Sequence, residues 1–544
     1  MAQREVTAEL DQYYKDMGVW GDDTLYQLFE AAAKKYPNKN ATNDARYSRS
    51  YSEYLDDVQR CAWFLHKKGV VAGDLIAIQV PNWNELAMVH LACNLMGAVF
   101  LPMHADWREK EISHLLSVTK TKVVFVPKVF RGFDYPAMVN SFKTSLIDLK
   151  EVVAIDRQGE YTQAIDDPAA FAKAYQQWQK RSPNEPTNIM VSSGTTSLPK
   201  PSLWSDNNQI ALLLKQYLPQ MKVTPDDHAV TLAPASTGAT GYVFPVLLPL
   251  LIGASCTLLE RWSGAEEALE LIEKSNATYA VAVPAQMTML VASEKVGQTN
   301  FDKLSRFGNA GAPLPMETAL QIEKLMGCRI QTIYGATDGG VPVGTLLDDP
   351  DDKRLGTAGV VMKGEEVRLV DDDYNDVAEG GRGEVLMRGA NKSYGYLNSP
   401  ADNAAAWIGD GWYATGDLGE IDPGNYLRIV GRKKDMIIRG GQNISPLEVE
   451  EMLIEHNAIA DIAIAAMPDK ILGERACAFV VLKEGQSLSF DEMVEFLSSR
   501  KMAKYKLPER LEIRDSFPTS AGGKTQKGVL TEEISKQLVR EASA

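Results

Sequence analysis

Short apolar, β-branched runs recur through the first two thirds of the chain, and stretches with helical spacing separate them. Residues 75–80, 98–102, 122–126, 188–191, 228–232, 256–259, 279–283 and 329–333 read as strands. Residues 23–36, 52–66, 85–96, 109–118, 265–274 and 316–326 read as helices. Strands that are apolar on both faces must be covered on both, so the alternation predicts parallel sheets packed by helices. From about Gly364 the runs shorten and Asp/Gly turns appear between 366–370, 383–387 and 426–430, which predicts a small antiparallel block. After Gly431-Arg-Lys-Lys-Asp435 a smaller α+β unit begins, with a helix over 447–456 and strands at 459–467 and 476–482. A capping box at Ser489-Phe-Asp-Glu492, a strand at 510–513 and a last helix ending near Arg540 complete it. The expected class is α/β, a large N-terminal domain of parallel-rich sheets followed by a small α+β domain.

Composition narrows the partners. The formal charge of −15 and the lack of any Lys/Arg block argue against a nucleic-acid polymer. Five scattered cysteines, none in a C-x-x-C pair, read as buried thiols in a reducing compartment and point to the cytoplasm. The charged N-terminus lacks the apolar core of a signal peptide. Residues 241–259 carry no charge, but Pro245, Pro249, Gly253, Ser255 and Thr257 interrupt them. They divide into an apolar helix, a Gly-Ala turn and a strand, so no membrane span is expected.

Chemistry concentrates first in Val191-Ser-Ser-Gly-Thr-Thr-Ser-Leu-Pro-Lys200, directly after a predicted strand. Hydroxyls, a glycine that lets backbone approach a ligand, and a lysine make a phosphate cradle; a solvated polar turn has the same composition. From Gly194 the spacing to Lys200 fits a Walker loop, but Pro199 stands at the second glycine and Pro201 at the Ser/Thr. Gly523-Lys524-Thr525 fails the same test, because Pro518 stands at the first glycine. No G-x-G-x-x-G directly follows a predicted strand, so a dinucleotide fold has no support.

Four further stretches carry functional side chains on turns: Ile333-Tyr-Gly-Ala-Thr-Asp-Gly-Gly340, Tyr413-Ala-Thr-Gly-Asp-Leu-Gly419, Gly431-Arg-Lys-Lys-Asp435 and Phe517-Pro-Thr-Ser-Ala-Gly-Gly-Lys-Thr-Gln-Lys527. Each alone also reads as a tight turn, a surface ion pair or a flexible tail. In this order, they resemble the adenylate-forming (acyl-activating, AMP-binding) superfamily, which includes acyl- and aryl-CoA ligases, peptide-synthetase adenylation domains and luciferases. Gly308-Asn-Ala-Gly-Ala-Pro313, Gly411-Trp-Tyr413, Gly440-Gly-Gln-Asn443 and Lys504-Tyr-Lys-Leu-Pro508 extend the resemblance over nearly the whole chain.

The resemblance implies an enzyme that joins a carboxylate to ATP, releases pyrophosphate, and passes the acyl group to a nucleophile. It implies that Ser192, Ser193, Gly194, Thr195, Thr196 and Lys200 hold the β- and γ-phosphates. Tyr334 is expected to stack on adenine, opposite Gly311, Ala312 and Pro313. Thr337 is expected at the α-phosphate, Asp338 at Mg²⁺, and Asp417 with Arg432 at the ribose. Lys524 is expected to bridge carboxylate and α-phosphate, stabilising charge as phosphorus is attacked. Lys434 matches a hinge between a domain at 1–433 and a mobile C-terminal domain at 434–544.

This chain departs from the family pattern at several points. Ser197 replaces a glycine, Asp338 replaces a glutamate one methylene longer, and Pro201 begins an unusual continuation of the loop. Ser236 and Thr237 stand where many relatives carry a histidine or bulky aromatic; with Gly238, Ala310 and Gly335 they are the expected acyl pocket. No charge lies in 234–242, 309–313 or 333–337, and the aspartate expected for an amino-acid ammonium is missing. An uncharged alicyclic, aromatic or medium-chain acid is therefore expected. Residues 504–510 look most like the aryl-acid and cyclohexanecarboxylate branches. CoA is the first expected acceptor; an amino-acid amine, as in coronafacate-ligase-type amide ligases, and a carrier-protein thiol are the others. A non-catalytic ATP sensor is the reading from another class, and retention of Lys524, Asp417 and Arg432 argues against it.

Overall fold

Every residue of the helix Glu85–Met96 is buried, because the helix lies between two sheets rather than on a surface. The computed structural model describes residues 6–156, 159–192, 198–235, 238–440, 442–519 and 524–543. Ser193, Gly194, Thr195, Thr196, Ser197, Ser236, Thr237 and Gly441 lie outside the described residues.

One sheet has six strands in the order Glu151–Ile155, Val123–Pro127, Leu75–Gln79, Val99–Met103, Pro186–Ser192, Lys200–Ser205. All its neighbours are parallel except the last pair. The second sheet has nine strands, and its centre runs Arg329–Ala336, Arg306–Asn309, Tyr279–Ala282, His228–Thr231, Ser255–Leu258, Asn40–Asn43 in parallel. The facing sides of both sheets, with helices Leu25–Lys35, Tyr51–Lys67 and Glu85–Met96 between them, form one core. Outer helices Ala265–Lys274, Pro284–Ala292 and Met316–Met326 cover one sheet, and Glu109–Val118 with Tyr135–Phe142 cover the other. The predicted parallel, helix-covered architecture is therefore observed.

A five-stranded antiparallel sheet follows, built from Glu365–Val370, Arg382–Gly389, Trp407–Ile408, Trp412–Ile421 and Leu427–Arg432. The remaining sheet takes all its strands from the last part of the chain, Ile437–Arg439 through Arg510–Arg514. Its two core clusters use only residues from Ile437 onward. The capping box at Ser489 and Glu492 opens the helix Phe490–Ser499, as read from the sequence.

The uncharged stretch at 241–259 does fold back: a π-helical segment Ala239–Leu247, a helix Leu248–Ile252 and a strand Ser255–Leu258. Among the described residues no helix is long and apolar enough to cross a membrane. A second π-helical segment, Ala211–Tyr217, packs beside the first, with Tyr217 stacked on Phe244 at 4.0 Å between ring centroids. Such wide turns are frequent at functional sites. All five cysteines are buried and unpaired.

His90, on the central helix, is fully buried and stacked on Phe100, with Nδ1 2.7 Å from the Tyr242 hydroxyl. Burial, helped by Arg181, lowers its pKa to about 3. A folded-state value below the ordinary 6.5 gives stability that is complete above pH 6.5 and lost as the pH falls. His90→Asn offers a polar atom to Tyr242 without titrating. Urea unfolding from pH 7 to 5 should show the variant losing less stability, by about 1.4 kcal/mol per pH unit below 6.5. Parallel curves would contradict this.

Candidate active site

Because the central strands of the nine-stranded sheet are parallel, their C-terminal ends open on one edge, where ligands of α/β sheets bind. The segment ending in Gly238 follows His228–Thr231, and Gly311, Ala312 and Pro313 follow Arg306–Asn309. Tyr334, Gly335 and Thr337 lie at the end of Arg329–Ala336. Three stretches far apart in sequence therefore meet. A Cβ on Gly238 would stand 3.7 Å from the Thr337 methyl, and Gly238 has φ +100°, a left-handed value that favours glycine. Gly311, Ala312 and Pro313 are exposed on this edge, while Ala310 is buried. Gly335 has a separate structural demand: a side chain there would run into the backbone of Gly340 and Val341, its hairpin neighbours.

The antiparallel sheet brings a second set of groups to the same place. Asp417 pairs in register with Arg432 on the neighbouring strand, and Arg432 Nε donates to Asp417 Oδ1 at 2.6 Å. The Tyr334 hydroxyl donates to Asp417 Oδ2 at 2.9 Å, tying the parallel sheet's edge to the antiparallel sheet. Arg432 holds both an expected ribose carboxylate and its geometry.

Asp338 sits where the two large sheets meet. Tyr396 donates to its Oδ2 at 2.8 Å, and the Ser393 hydroxyl donates to its carbonyl. Burial pushes the Asp338 carboxyl up to about 6, although Tyr396, Ser192, Lys200 and Lys524 each favour the carboxylate. Asp338 Oδ1 is buried with no hydrogen-bond partner among the described residues. One open carboxylate oxygen suits Mg²⁺, which is held by one or two carboxylates, substrate phosphates and water rather than by a protein cage.

The strands on either side of the Ser/Thr-rich stretch are antiparallel neighbours, with Ser192 paired to Lys200. The Walker test fails for a structural reason as well, since a strand follows this loop where a helix is needed. Lys200 Nζ lies 2.6 Å from Asp402 Oδ1 and 5.6 Å from the Tyr396 ring centroid. Lys200, then Ser399, hold the Asp402 carboxyl below its usual range. Tyr396 thus stands between Lys200 and Asp338. The sequence reading missed Ser393, Tyr396 and Asp402. Their segment is placed by a long-range contact, in which Tyr394 and Leu397 hydrogen-bond the backbone of Lys200–Ser205, and such a contact leaves no local signal.

Lys434 falls in the 3₁₀ turn Lys433–Asp435, where the chain leaves the antiparallel sheet for the last one. Burial and Arg432 lower its pKa. Lys524 keeps solvent access at its surface, yet it lies deep enough among protein atoms for burial to be the largest cause of its lowered pKa. Arg432 and Lys434 lower it further, while Asp417 and Asp338 pull it back. The structure therefore brings Lys524 within electrostatic reach of the carboxylates at the sheet edge.

Comparison with known proteins agrees in extent. The description "AMP-binding enzyme" matches residues 29–397, and "AMP-binding enzyme C-terminal domain" matches 448–524. The chain is 34% identical over 540 residues to a medium-chain fatty-acid–CoA ligase of Escherichia coli (strain K12), covering 97% of this chain and 93% of that protein. It is 30% identical over 537 residues to a 2,3-dihydroxybenzoate-AMP ligase of Bacillus subtilis (strain 168), covering 98% and 97%. The crystal structure of the anthranilate CoA ligase AuaEII in complex with anthranoyl-AMP superposes with a TM-score of 0.85 at 22% identity, covering 95% of this chain and 98% of that one.

Asp417→Ala removes the partner of both Tyr334 and Arg432. Losing hydrogen bonds of a charged group is worth about 1.5–3 kcal/mol, so ATP binding measured by calorimetry should weaken about 10- to 150-fold. Unchanged affinity would remove Asp417 from the nucleotide site.

Proposed function

This chain belongs to the AMP-binding enzyme family, and from that membership we propose that it couples an uncharged carboxylic acid to the thiol of CoA through an acyl-adenylate. Adenylate-forming acid ligation is the shared chemistry. The observation that carries the reading at residue level is Lys524 sharing its electrostatic surroundings with Asp417, Asp338 and Arg432.

In the first half-reaction an acid oxygen attacks the α-phosphorus of ATP, the bond to the bridging oxygen breaks, and pyrophosphate leaves. Lys524 meets the negative charge shared by the attacking carboxylate and the α-phosphate, and Thr337 donates to the α-phosphate. Tyr334 faces the adenine from one side, with Gly311, Ala312 and Pro313 on the other. Asp417 and Arg432 take the ribose. Lys200, released from Asp402, takes the β- and γ-phosphates with Ser192 and the loop residues Ser193, Gly194, Thr195 and Thr196. Asp338 is the residue that would hold Mg²⁺, which when bound screens the charge of the leaving pyrophosphate. In the second half-reaction the thiol sulfur attacks the acyl carbon and AMP leaves. Lys434 serves as the hinge between 1–433 and 434–544, turning the face around Gly440 to the acceptor.

The identity to a medium-chain fatty-acid–CoA ligase supports CoA and an apolar acid. The uncharged segments 234–242, 309–313 and 333–337 support the same class of acid. Incubating the enzyme with a panel of acids, ATP, and either CoA or mixed amino acids separates the acceptors by product mass. Acyl-CoA is expected; acyl-amide alone would overturn the thiol reading.

Lys524→Ala should abolish acid-dependent pyrophosphate release while ATP still binds, and undiminished turnover would refute its role. Lys434→Pro should leave pyrophosphate release nearly intact and depress acyl transfer from preformed acyl-adenylate at least about tenfold, as gating by domain motion requires. Equal loss of both half-reactions would refute the hinge.

A further inference from the structure

Strands Arg306–Asn309 and Arg329–Ala336 run parallel with Gly308 beside Gln331. Side chains alternate along a strand, so Gly308 and Ala310 share a face with Gln331 and Ile333. That face packs on the two π-helical segments, since Ala310, Ile333, Tyr217 and Phe244 belong to one core cluster. Gly308 offers no side chain, and a Cβ there would lie 2.8 Å from the Tyr217 hydroxyl. The hydroxyl is therefore aimed at a stretch of bare strand. Higher on the same face come Ala310, and then the edge where Gly238 meets Thr337.

Two polar atoms at the level of Gly308 have no hydrogen-bond partner among the described residues: the Tyr217 hydroxyl and Gln331 Oε1. Their residues are 1% and 0% exposed. Gln331 is held at its other end, where Nε2 donates to Gln220 Oε1 at 3.1 Å and to the Thr345 carbonyl at 3.2 Å. The carbonyl is an acceptor only, which assigns Nε2 to that side and leaves Oε1 facing away. Buried polar atoms left bare are unfavourable and rare. Gly308 lies three residues before Gly311 and within the strand, so this polar pair sits below the nucleotide edge on the same face.

We propose that Tyr217 and Gln331 form the far end of the acyl pocket and bind an uncharged hydroxyl on the acid, distal to its carboxylate. The proposal rests on the acid-ligase reading and names its substrate class. Gln331 Oε1 only accepts, so the partner must donate; Tyr217 can donate, so the partner can also accept. A hydroxyl does both, whereas a carbonyl leaves Gln331 bare. A second carboxylate has no donor for Gln331 and no available cation. The nearby Arg306 is already engaged by the Asp227 carboxylate and the carbonyls of Met221 and Lys222. An ammonium would bring an unpaired charge into an apolar cluster.

The test is pyrophosphate release with pairs of acids, over a range of lengths, that differ only in a terminal hydroxyl. At one length the natural enzyme should favour the hydroxylated member in kcat/KM by at least about tenfold, the size expected for one buried hydrogen bond to a specific hydroxyl. Tyr217→Phe and Gln331→Met should each lower that ratio by about tenfold. If Gln331→Met does not fold, Tyr217→Phe decides alone. A flat ratio at every length, or a ratio unchanged in Tyr217→Phe together with a higher melting temperature, means a buried water only. Either result overturns the inference while the acid-ligase reading stands. Silence with every acid, hydroxylated or not, overturns both.

Discussion

The parallel register of the nine-stranded sheet is the constraint on which the site depends. Because neighbouring strands run the same way, the turns after Thr231, Asn309 and Ala336 all open at one edge. The bond from Tyr334 to Asp417 then fastens the antiparallel sheet to that edge, and Arg432 comes with it through its register pairing. Removing the parallel arrangement would scatter Gly238, Gly311 and Thr337 without changing any of them chemically.

Much of this was legible in the sequence because it rests on local signals. β-Branched runs and helical spacing gave the strands and helices of the two large sheets, and the breakers at Pro245, Pro249 and Gly253 correctly excluded a membrane helix. What stayed hidden depends on distant contacts. The strand Arg306–Asn309 is only four residues long and contains a glycine, so it carries little strand signal of its own. Lys200–Ser205 includes a proline and three polar residues, and it becomes a strand by pairing with Pro186–Ser192. Tyr396 and Asp402 gained their meaning only when the fold set them against Asp338 and Lys200. The π-helical stretch Ala211–Tyr217 has no distinguishing pattern, because a wide turn is imposed by packing rather than by propensity.

Three of the buried polar atoms without partners among the described residues fall on the path proposed for the substrates. Among the described residues, Asp338 Oδ1 beside the expected phosphates has no hydrogen-bond partner, and neither do the Tyr217 hydroxyl and Gln331 Oε1 at the level of Gly308. Between them the lining is small or apolar, with Ala310 and Ile333 both buried. A molecule that joins a charged end at Asp338 and Lys524 to an uncharged polar end at Tyr217 satisfies both. Lys524 belongs to the first end only, and its pKa is lowered by the surrounding protein and by two other cations, Arg432 and Lys434.

The claim that this site transfers adenylate to a carboxylate is tested most directly by following oxygen. An accepted acid labelled with ¹⁸O in its carboxyl group, incubated with ATP and acceptor, should yield AMP carrying one labelled oxygen. Label in inorganic phosphate with release of ADP, or AMP free of label, would contradict the account.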